Sequence, residues 1–137
     1  MRAFAVRLTP GTDLRAELKR LAEGEGLRAG CILSAVGSLK QARLRMPGVA
    51  GEPETFRSWD QPMEIVSLGG TLSEGGMHVH ISLSGPDGVC VGGHLVAGCI
   101  VHTTAEVVIG ELEDVEFRRE PDAETGYLEL AVKRREP

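Results

Sequence analysis

The sequence predicts a single α+β domain, in which one N-terminal helix accompanies a curved and mainly antiparallel β-sheet. The chain has 137 residues, of which 42% are hydrophobic, and this is enough for one domain with a substantial core. Only one segment has helical periodicity, while short alternating segments and tight turns fill the rest of the chain. That order is typical of α+β domains. No linker, repeat or low-complexity tract interrupts the chain, so we expect residues 1–137 to form one domain.

The N-terminal segment predicts a strand followed by the helix. Residues 2–8 alternate between apolar and polar side chains, and Pro10-Gly11 then forms a turn. Thr12 or Asp13 is suited to cap a helix that ends near Gly24, where glycines interrupt the pattern. The apolar side of this helix repeats at helical spacing and consists of Leu14, Leu18 and Leu21.

The remaining elements are predicted strands, because they are short, rich in β-branched residues and bounded by glycine, proline or aspartate. A break or a bend is expected at Gly37-Ser38, with the strand continuing over residues 42–46, and a loop is expected at residues 47–53. The predicted strands cover residues 29–36, 42–46, 63–72, 77–84, 89–91, 94–99, 100–109, 115–117 and 127–132.

Composition limits the partners and the location that we expect. The net charge is −5, with +5 in residues 1–46, −6 in residues 47–109 and −4 in the remainder. Tight duplex binding depends on neutralising phosphates, so an acidic chain without a basic cluster is poorly suited to it. Arg2 and Arg7 interrupt the N-terminus too early for a signal peptide, and no long apolar run suggests a membrane span. We therefore expect a cytoplasmic protein without membrane contact.

The three cysteines predict no disulfide framework. Cys31, Cys90 and Cys99 are odd in number, form no Cys-x-x-Cys motif and lie among apolar residues or glycines. We therefore expect reduced and buried thiols.

Three of the four histidines lie in one short region and provide the main functional signal. In the strand 77–84, the apolar row of Met77, Val79, Ile81 and Leu83 predicts a core face. His78 and His80 then lie on the opposite, polar face. His94 follows Gly92-Gly93, which would allow a close backbone approach. Three imidazoles can hold zinc or a similar ion with one position left open. The competing interpretation is a hydrogen-bonded polar face at an oligomer interface.

His102 and Glu106 form a second, weaker candidate set. They lie on one face of the strand 100–109, where a buried carboxylate would need a partner. Glu106 or His102 could handle protons beside a metal-bound water, or the two could belong to an interface network.

The sequence contains no motif for nucleotide binding or for nucleophilic hydrolysis. The glycine pairs match neither a phosphate-binding loop nor a dinucleotide fingerprint, and no serine has the context of a hydrolase nucleophile. We therefore expect neither nucleotide binding nor nucleophilic hydrolysis.

Several motifs together resemble the PPC domain, a family whose name stands for "plants and prokaryotes conserved". The resemblance covers nearly the whole chain and is specific as a set. The motifs are Ala35-Val36-Gly37-Ser38, Glu64-Ile65-Val66-Ser67-Leu68, His78-Val79-His80, Gly92-Gly93-His94-Leu95 and Thr104-Ala105-Glu106-Val107.

The resemblance implies a curved antiparallel sheet and a homotrimer, with a bound metal at His78, His80 and His94. Zinc is the first choice for this ion, with iron, manganese or nickel as alternatives. Plant members carry an AT-hook that reads A·T-rich DNA, but its Arg-Gly-Arg-Pro core is absent here. We therefore expect no specific DNA binding, although the family is linked to DNA-binding proteins.

Two functional hypotheses follow. In the first, the protein is a stand-alone, homotrimeric binding or regulatory module that could engage another protein or bind DNA weakly. In the second, it is a metal-dependent enzyme acting on a small molecule.

Overall fold

The computed structural model describes residues 1–136 and contains one helix, a seven-stranded sheet and a separate two-stranded sheet. All strand pairings are antiparallel, which confirms the predicted α+β class. The elements are β1 (Arg2–Leu8), α1 (Leu14–Gly24), β2 (Gly30–Arg45), β3 (Phe56–Trp59), β4 (Met63–Ser73), β5 (Gly76–Ser84), β6 (Cys90–Leu95), β7 (Ile100–Glu111), β8 (Val115–Pro121) and β9 (Leu128–Arg134).

The helix α1 begins where the sequence predicts. One carboxylate oxygen of Asp13 accepts a hydrogen bond from the backbone N–H of Ala16 at 2.9 Å, as an N-cap does. Its other oxygen accepts from the N–H of Gly98 at 2.7 Å. The start of the helix is thereby tied to the turn between β6 and β7. The buried side of the helix consists of Leu14, Leu18 and Ala22.

The strand β2 joins the two segments predicted at 29–36 and 42–46. The sequence suggests a break or a bend at Gly37-Ser38, and the strand runs continuously across it for 16 residues. Its pairing with β7 shifts register on either side of Leu39 instead of ending. At Gly37 the two backbones approach so closely that a Cβ would lie 2.6 Å from the Cα of Ala105. The glycine therefore permits a bend within a paired strand, and the ladder continues beyond it.

Three further details differ from the predictions. The short strand β3 was not expected, because its four residues show little alternation and depend on pairing with the end of β2. The two segments predicted at 89–91 and 94–99 are replaced by the single strand β6. Cys90 is exposed, so the prediction that all three thiols are buried is wrong for that residue.

The strand order closes part of the sheet on itself, because β6 pairs with β2 as well as with β5. The order is β1-β7-β2-β4-β5-β6, and β6 also pairs with the end of β2. Leu44 and Arg45 lie opposite Leu95 and His94 in that last pairing. The strands β2, β4, β5 and β6 therefore form a closed circuit. This closure places an arginine from β2 beside a histidine from β6.

The core lies inside this curved sheet and beneath α1. It is built almost entirely from aliphatic side chains, including fully buried Leu39, Leu44, Leu83 and Val101. Within residues 1–136, no helix has the length and apolar character needed to cross a bilayer.

The β8–β9 hairpin attaches to this body mainly through polar contacts. The N–H of Phe117 donates to the carbonyl oxygen of Arg28 at 2.8 Å, and Arg135 pairs with Glu111 at 2.8 Å. Arg119 donates to the hydroxyl of Thr71 at 3.0 Å. The hairpin is thereby held beside the outer face of β4 and β5.

Candidate metal centre

The alternation in β5 places its histidines as predicted. Val79, Ile81 and Leu83 are 1%, 3% and 0% exposed and belong to the core. His78 and His80 are exposed on the opposite face. Since neither ring packs in the core, both are available for contacts outside it.

The sheet register then joins the histidines of β5 to the rest of the centre. His80 lies directly opposite His94 on β6, and His94 lies opposite Arg45 on β2. On the other side of β5, His78 lies opposite Thr71 on β4. Directly opposed residues of an antiparallel pair present their side chains on one face. The register therefore forms a row of His80, His94 and Arg45 across three strands.

The glycine before His94 is required by the close approach of β2. A Cβ at Gly93 would lie 2.9 Å from the carbonyl oxygen of Arg45 and 2.8 Å from the terminal methyl group of Met46. Any larger residue would push β6 away from β2. The prediction that this glycine pair permits a close backbone approach is confirmed, and the approach holds His94 against the end of β2.

The three imidazole rings converge. The Nε2 atoms of His78 and His80 are 3.1 Å apart, so one ring donates a hydrogen bond and the other accepts it. The ring of His94 lies 5.2 Å from that of His78 and 5.5 Å from that of His80, between centroids. One ligand nitrogen from each ring lies within 4.8 Å of the others. This is the arrangement that the His-x-His strand and His94 predict.

The surroundings favour neutral imidazoles. Partial burial, the positive charge of Arg45, and the neighbouring His78 and His80 together lower the pKa of His94 to about 4. The pKa of His78 is also lowered, first by partial burial and then by His80 and the guanidinium of Arg119. The carboxylate of Glu129 acts on His78 in the opposite direction. Neutral imidazole is the form that binds metal ions.

Two arginines that the sequence analysis did not single out flank the histidines. Arg45 donates from Nη2 to Nδ1 of His94 at 3.1 Å, and its Nη1 lies 3.2 Å from Glu54. Arg119 reaches over from β8 to Thr71, the residue opposite His78. These contacts join positions 49 and 48 residues apart. No local sequence pattern identifies them, because they depend on sheet closure and on the position of the hairpin.

The donor set fits a borderline divalent ion. Tetrahedral zinc with Zn–N distances of about 2.0–2.1 Å would separate its nitrogen ligands by roughly 3.3 Å. The separation of the His78 and His80 nitrogens is close to this value, and the ligand nitrogens of all three rings lie within 4.8 Å of one another. Three imidazoles without a carboxylate suit zinc, iron or nickel better than magnesium or calcium.

His102 and Glu106 are not part of this cluster. Both lie on β7, which β2 and β4 separate from β5 in the sheet order. Glu106 is exposed and lies between Arg7 of β1 and Val36 of β2. The burial expected for Glu106 is therefore absent. The structure brings together the three predicted metal ligands and places the two weaker catalytic candidates elsewhere.

Comparison with known proteins connects this arrangement to a family. The model of the Plants and Prokaryotes Conserved (PCC) domain matches residues 1–113. Among curated proteins, a bifunctional protein GlmU from Synechococcus is 42% identical over 133 residues. That match covers 97% of this chain but 20% of the relative, so this chain spans about a fifth of the relative's length.

Solved structures share the fold over nearly the whole chain. A hypothetical protein from Salmonella cholerae-suis is 41% identical and superposes with a TM-score of 0.90, covering 98% of this chain and 94% of that one. A metal-containing protein from Archaeoglobus fulgidus is 28% identical with a TM-score of 0.83, covering 96% and 94% of the two chains.

Proposed function

The chain belongs to the Plants and Prokaryotes Conserved domain family, and from that premise we propose that it is a homotrimeric, metal-binding module. In this proposal each chain holds one divalent ion through His78, His80 and His94, and the trimer serves a binding or regulatory role. The ion would supply a Lewis-acidic position open to a further ligand, because three protein ligands leave a tetrahedral ion one free site.

The convergence of the three imidazoles is the observation that carries the proposal. Their ligand nitrogens lie within 4.8 Å of one another, and His78 and His80 lie on the exposed face of β5. The low pKa of His94, about 4, keeps its ring unprotonated near neutral pH. A similar protein from Archaeoglobus fulgidus is described as metal-containing, which supports the same interpretation for this chain.

Exposed apolar side chains on the outer sheet face support self-association. Val36 is 61% exposed and Val66 is 57% exposed. They lie near each other, since Ser38 and Glu64, each two positions away, are paired in the register of β2 and β4. Apolar residues on a sheet face of this kind commonly mark contacts between subunits. A second copy of the chain is the partner that the proposal assigns to them.

A metal-dependent enzyme acting on a small molecule is the second candidate function. The open coordination position expected of a three-histidine site favours it, because such an ion can activate water or polarise a carbonyl group. Turnover by the metal-loaded protein, lost on metal removal and restored on reloading, would support this candidate over the binding module.

Sequence-specific DNA binding is not part of the proposal. The net charge is −5, and the Arg-Gly-Arg-Pro core of an AT-hook is absent. We expect this chain to show no binding to A·T-rich duplex at physiological salt, because phosphate-dominated binding is lost there. Salt-resistant and sequence-dependent binding would contradict this expectation.

Metal analysis of untagged protein, purified without chelators, tests the proposal directly. The protein is dialysed against zinc, iron(II), manganese or nickel, and bound metal is measured by mass spectrometry. We expect about one ion per chain for at least one of these metals. Light scattering on the same sample gives the number of chains. Failure of all four metals to bind stoichiometrically overturns the metal centre, and a monomeric mass overturns the trimer.

A further inference from the structure

The surroundings of the three histidines are positively charged on two sides. Arg45 contacts His94 directly, and Arg119 lies across Thr71 from His78. The guanidinium groups come from different elements, β2 and β8, and reach the same cluster from opposite ends. The cluster itself contains no carboxylate.

The two guanidinium groups differ in how well their charge is compensated. Arg45 has an ion-pair partner in Glu54, whose side chain is 57% exposed, so solvent weakens that pair. Arg119 is half-buried, and among residues 1–136 its side-chain partner is the hydroxyl of Thr71 and not a carboxylate. Its hydrogen bond to the Thr71 hydroxyl leaves further N–H groups of the guanidinium available. A partly buried cation of this kind attracts an anion.

Metal binding would also release the hydrogen bond of Arg45. A guanidinium can only donate, so Nδ1 of His94 accepts in this contact and the neutral ring carries its proton on Nε2. Coordination through Nδ1 needs the lone pair that Arg45 occupies. Coordination through Nε2 requires the proton to move to Nδ1, which then cannot accept. Arg45 must leave Nδ1 in either case, and its N–H groups become available to a ligand.

We infer that the metal centre binds a small oxyanion, a carboxylate or phosphate group, with one oxygen on the ion and another on Arg119, while Arg45 adds positive charge beside it. This inference rests on the proposed metal centre and names the chemical class of its ligand. Guanidinium groups and carboxylates or phosphates match each other in charge and in paired hydrogen-bond geometry. The nearby carboxylate of Glu129 accepts a hydrogen bond from the Thr125 hydroxyl at 3.0 Å and reduces the local positive charge only in part.

Cobalt-substituted protein tests this inference by spectroscopy and without any assumption of activity. Acetate, inorganic phosphate and neutral acetamide are each titrated into the loaded full chain, and the visible cobalt bands report binding. We expect acetate or phosphate to shift the bands, while acetamide at the same concentration does not. Comparison of acetate with phosphate identifies which oxyanion the site prefers.

Variants of Arg119 and Arg134 distinguish a direct contact between Arg119 and the oxyanion from a general effect of positive charge. R119Q should weaken oxyanion binding about tenfold or more, as expected for loss of a hydrogen bond to a charged group. R119K keeps the positive charge but loses the paired N–H donors of the guanidinium, so its affinity for the oxyanion should be intermediate. R134Q removes the same charge from an exposed position of the hairpin and should change the affinity less than about twofold.

The possible failures are distinguishable. Absence of bound cobalt overturns the metal centre and this inference together. Stoichiometric cobalt that responds to neither acetate nor phosphate more strongly than to acetamide overturns the oxyanion ligand alone, and so do equal effects of R119Q and R134Q. Circular dichroism and cobalt content of each variant show whether the fold and the ion are retained, so a misfolded R119Q is replaced by R119K in the comparison.

Discussion

Arg45 and His94 are directly opposed on β2 and β6, and the guanidinium of Arg45 donates to Nδ1 of His94 at 3.1 Å. This contact uses one lone pair of a proposed metal ligand and adds a positive charge beside the proposed ion. Arg45 therefore has two opposite effects on the centre. Its guanidinium competes with the metal for the lone pair of His94. Once the metal is bound, the same positive charge could attract an anionic ligand to it.

Replacement of Arg45 by methionine should tighten metal binding. R45M removes both the competing donor and the neighbouring positive charge, so we expect zinc affinity to rise about tenfold, the worth of one hydrogen bond to a charged group. Competition with a chromophoric chelator measures this affinity. R57M is the matched control, because Arg57 is an exposed residue of β3 with no contact to a histidine. Equal affinities in R45M and R57M would contradict the prediction.

Loss of one imidazole should abolish stoichiometric metal binding. H94A leaves two histidines, which hold zinc far more weakly than three. H102A removes a histidine of β7 that lies outside the cluster, and this variant should retain about one ion per chain. Elemental analysis after dialysis compares the two variants. If H102A also loses its metal, the assignment of the ligands is wrong.

Adjacent glycines on β4 should respond very differently to alanine. Gly70 has a φ of +149°, and a Cβ there would collide with the backbone of His78 and Val79. At Gly69 a Cβ would meet nothing within 4 Å. We expect G70A to lower the free energy of unfolding by about 2–3 kcal/mol and G69A to change it by less than about 0.5 kcal/mol.

Urea denaturation at one fixed protein concentration measures both glycine variants, since self-association would otherwise shift the midpoints. Equal urea midpoints for G70A and G69A would contradict the prediction, because they would show that β4 and β5 can move apart at Gly70 without loss of stability.

The carboxylate of Glu111 should stabilise the fold in a pH-dependent manner. Burial acts to raise its pKa, but the N–H of Arg28, the side chain of Arg135 and the charge of Arg2 outweigh this effect and lower it. A carboxylate with a lowered pKa in the folded state stabilises the protein above the unfolded-state pKa. That contribution is lost as the pH falls through the folded-state pKa.

E111Q provides the measurement for this residue. Near pH 7 the variant should be less stable than the unmodified protein by about 2 kcal/mol, because Arg135 and Arg2 lose a charged acceptor. The difference should shrink as the pH is lowered below the ordinary range of a glutamate. Urea denaturation at several pH values tests this trend, and a difference that stays constant or grows towards low pH would contradict it.

A charge on the apolar sheet face should disrupt self-association. V36D places a carboxylate on an outer-face position that is 61% exposed in the single chain. We expect light scattering to give a smaller mass for V36D than for the trimer proposed for the unmodified protein, because burial of an unpaired carboxylate is costly. V89D is the matched control, since Val89 is 60% exposed but lies in the turn between β5 and β6. Equal masses for both variants would place the interface elsewhere.

The sequence predicted those features that depend on neighbouring residues. The alternation of β5 placed Val79 and Ile81 in the core and His78 and His80 outside it, because successive side chains of a strand point to opposite faces. Asp13 identified the start of α1, since an N-cap is a local hydrogen-bond arrangement. The motif set around His94 also indicated the family, whose model matches residues 1–113.

Other features required the tertiary structure. The bend at Gly37 could not be distinguished from a strand end, since the difference lies in the register of β7. Cys90 is exposed at the start of β6, and Glu106 is exposed because it lies on the outward face of β7, between buried Ala105 and Val107. Arg45 and Arg119 joined the histidines only through closure of β6 onto β2 and attachment of the β8–β9 hairpin. The sequence by itself determined which side chains of β5 face outward. The pairing of distant strands decided which side chains they meet, because that pairing depends on the whole sheet.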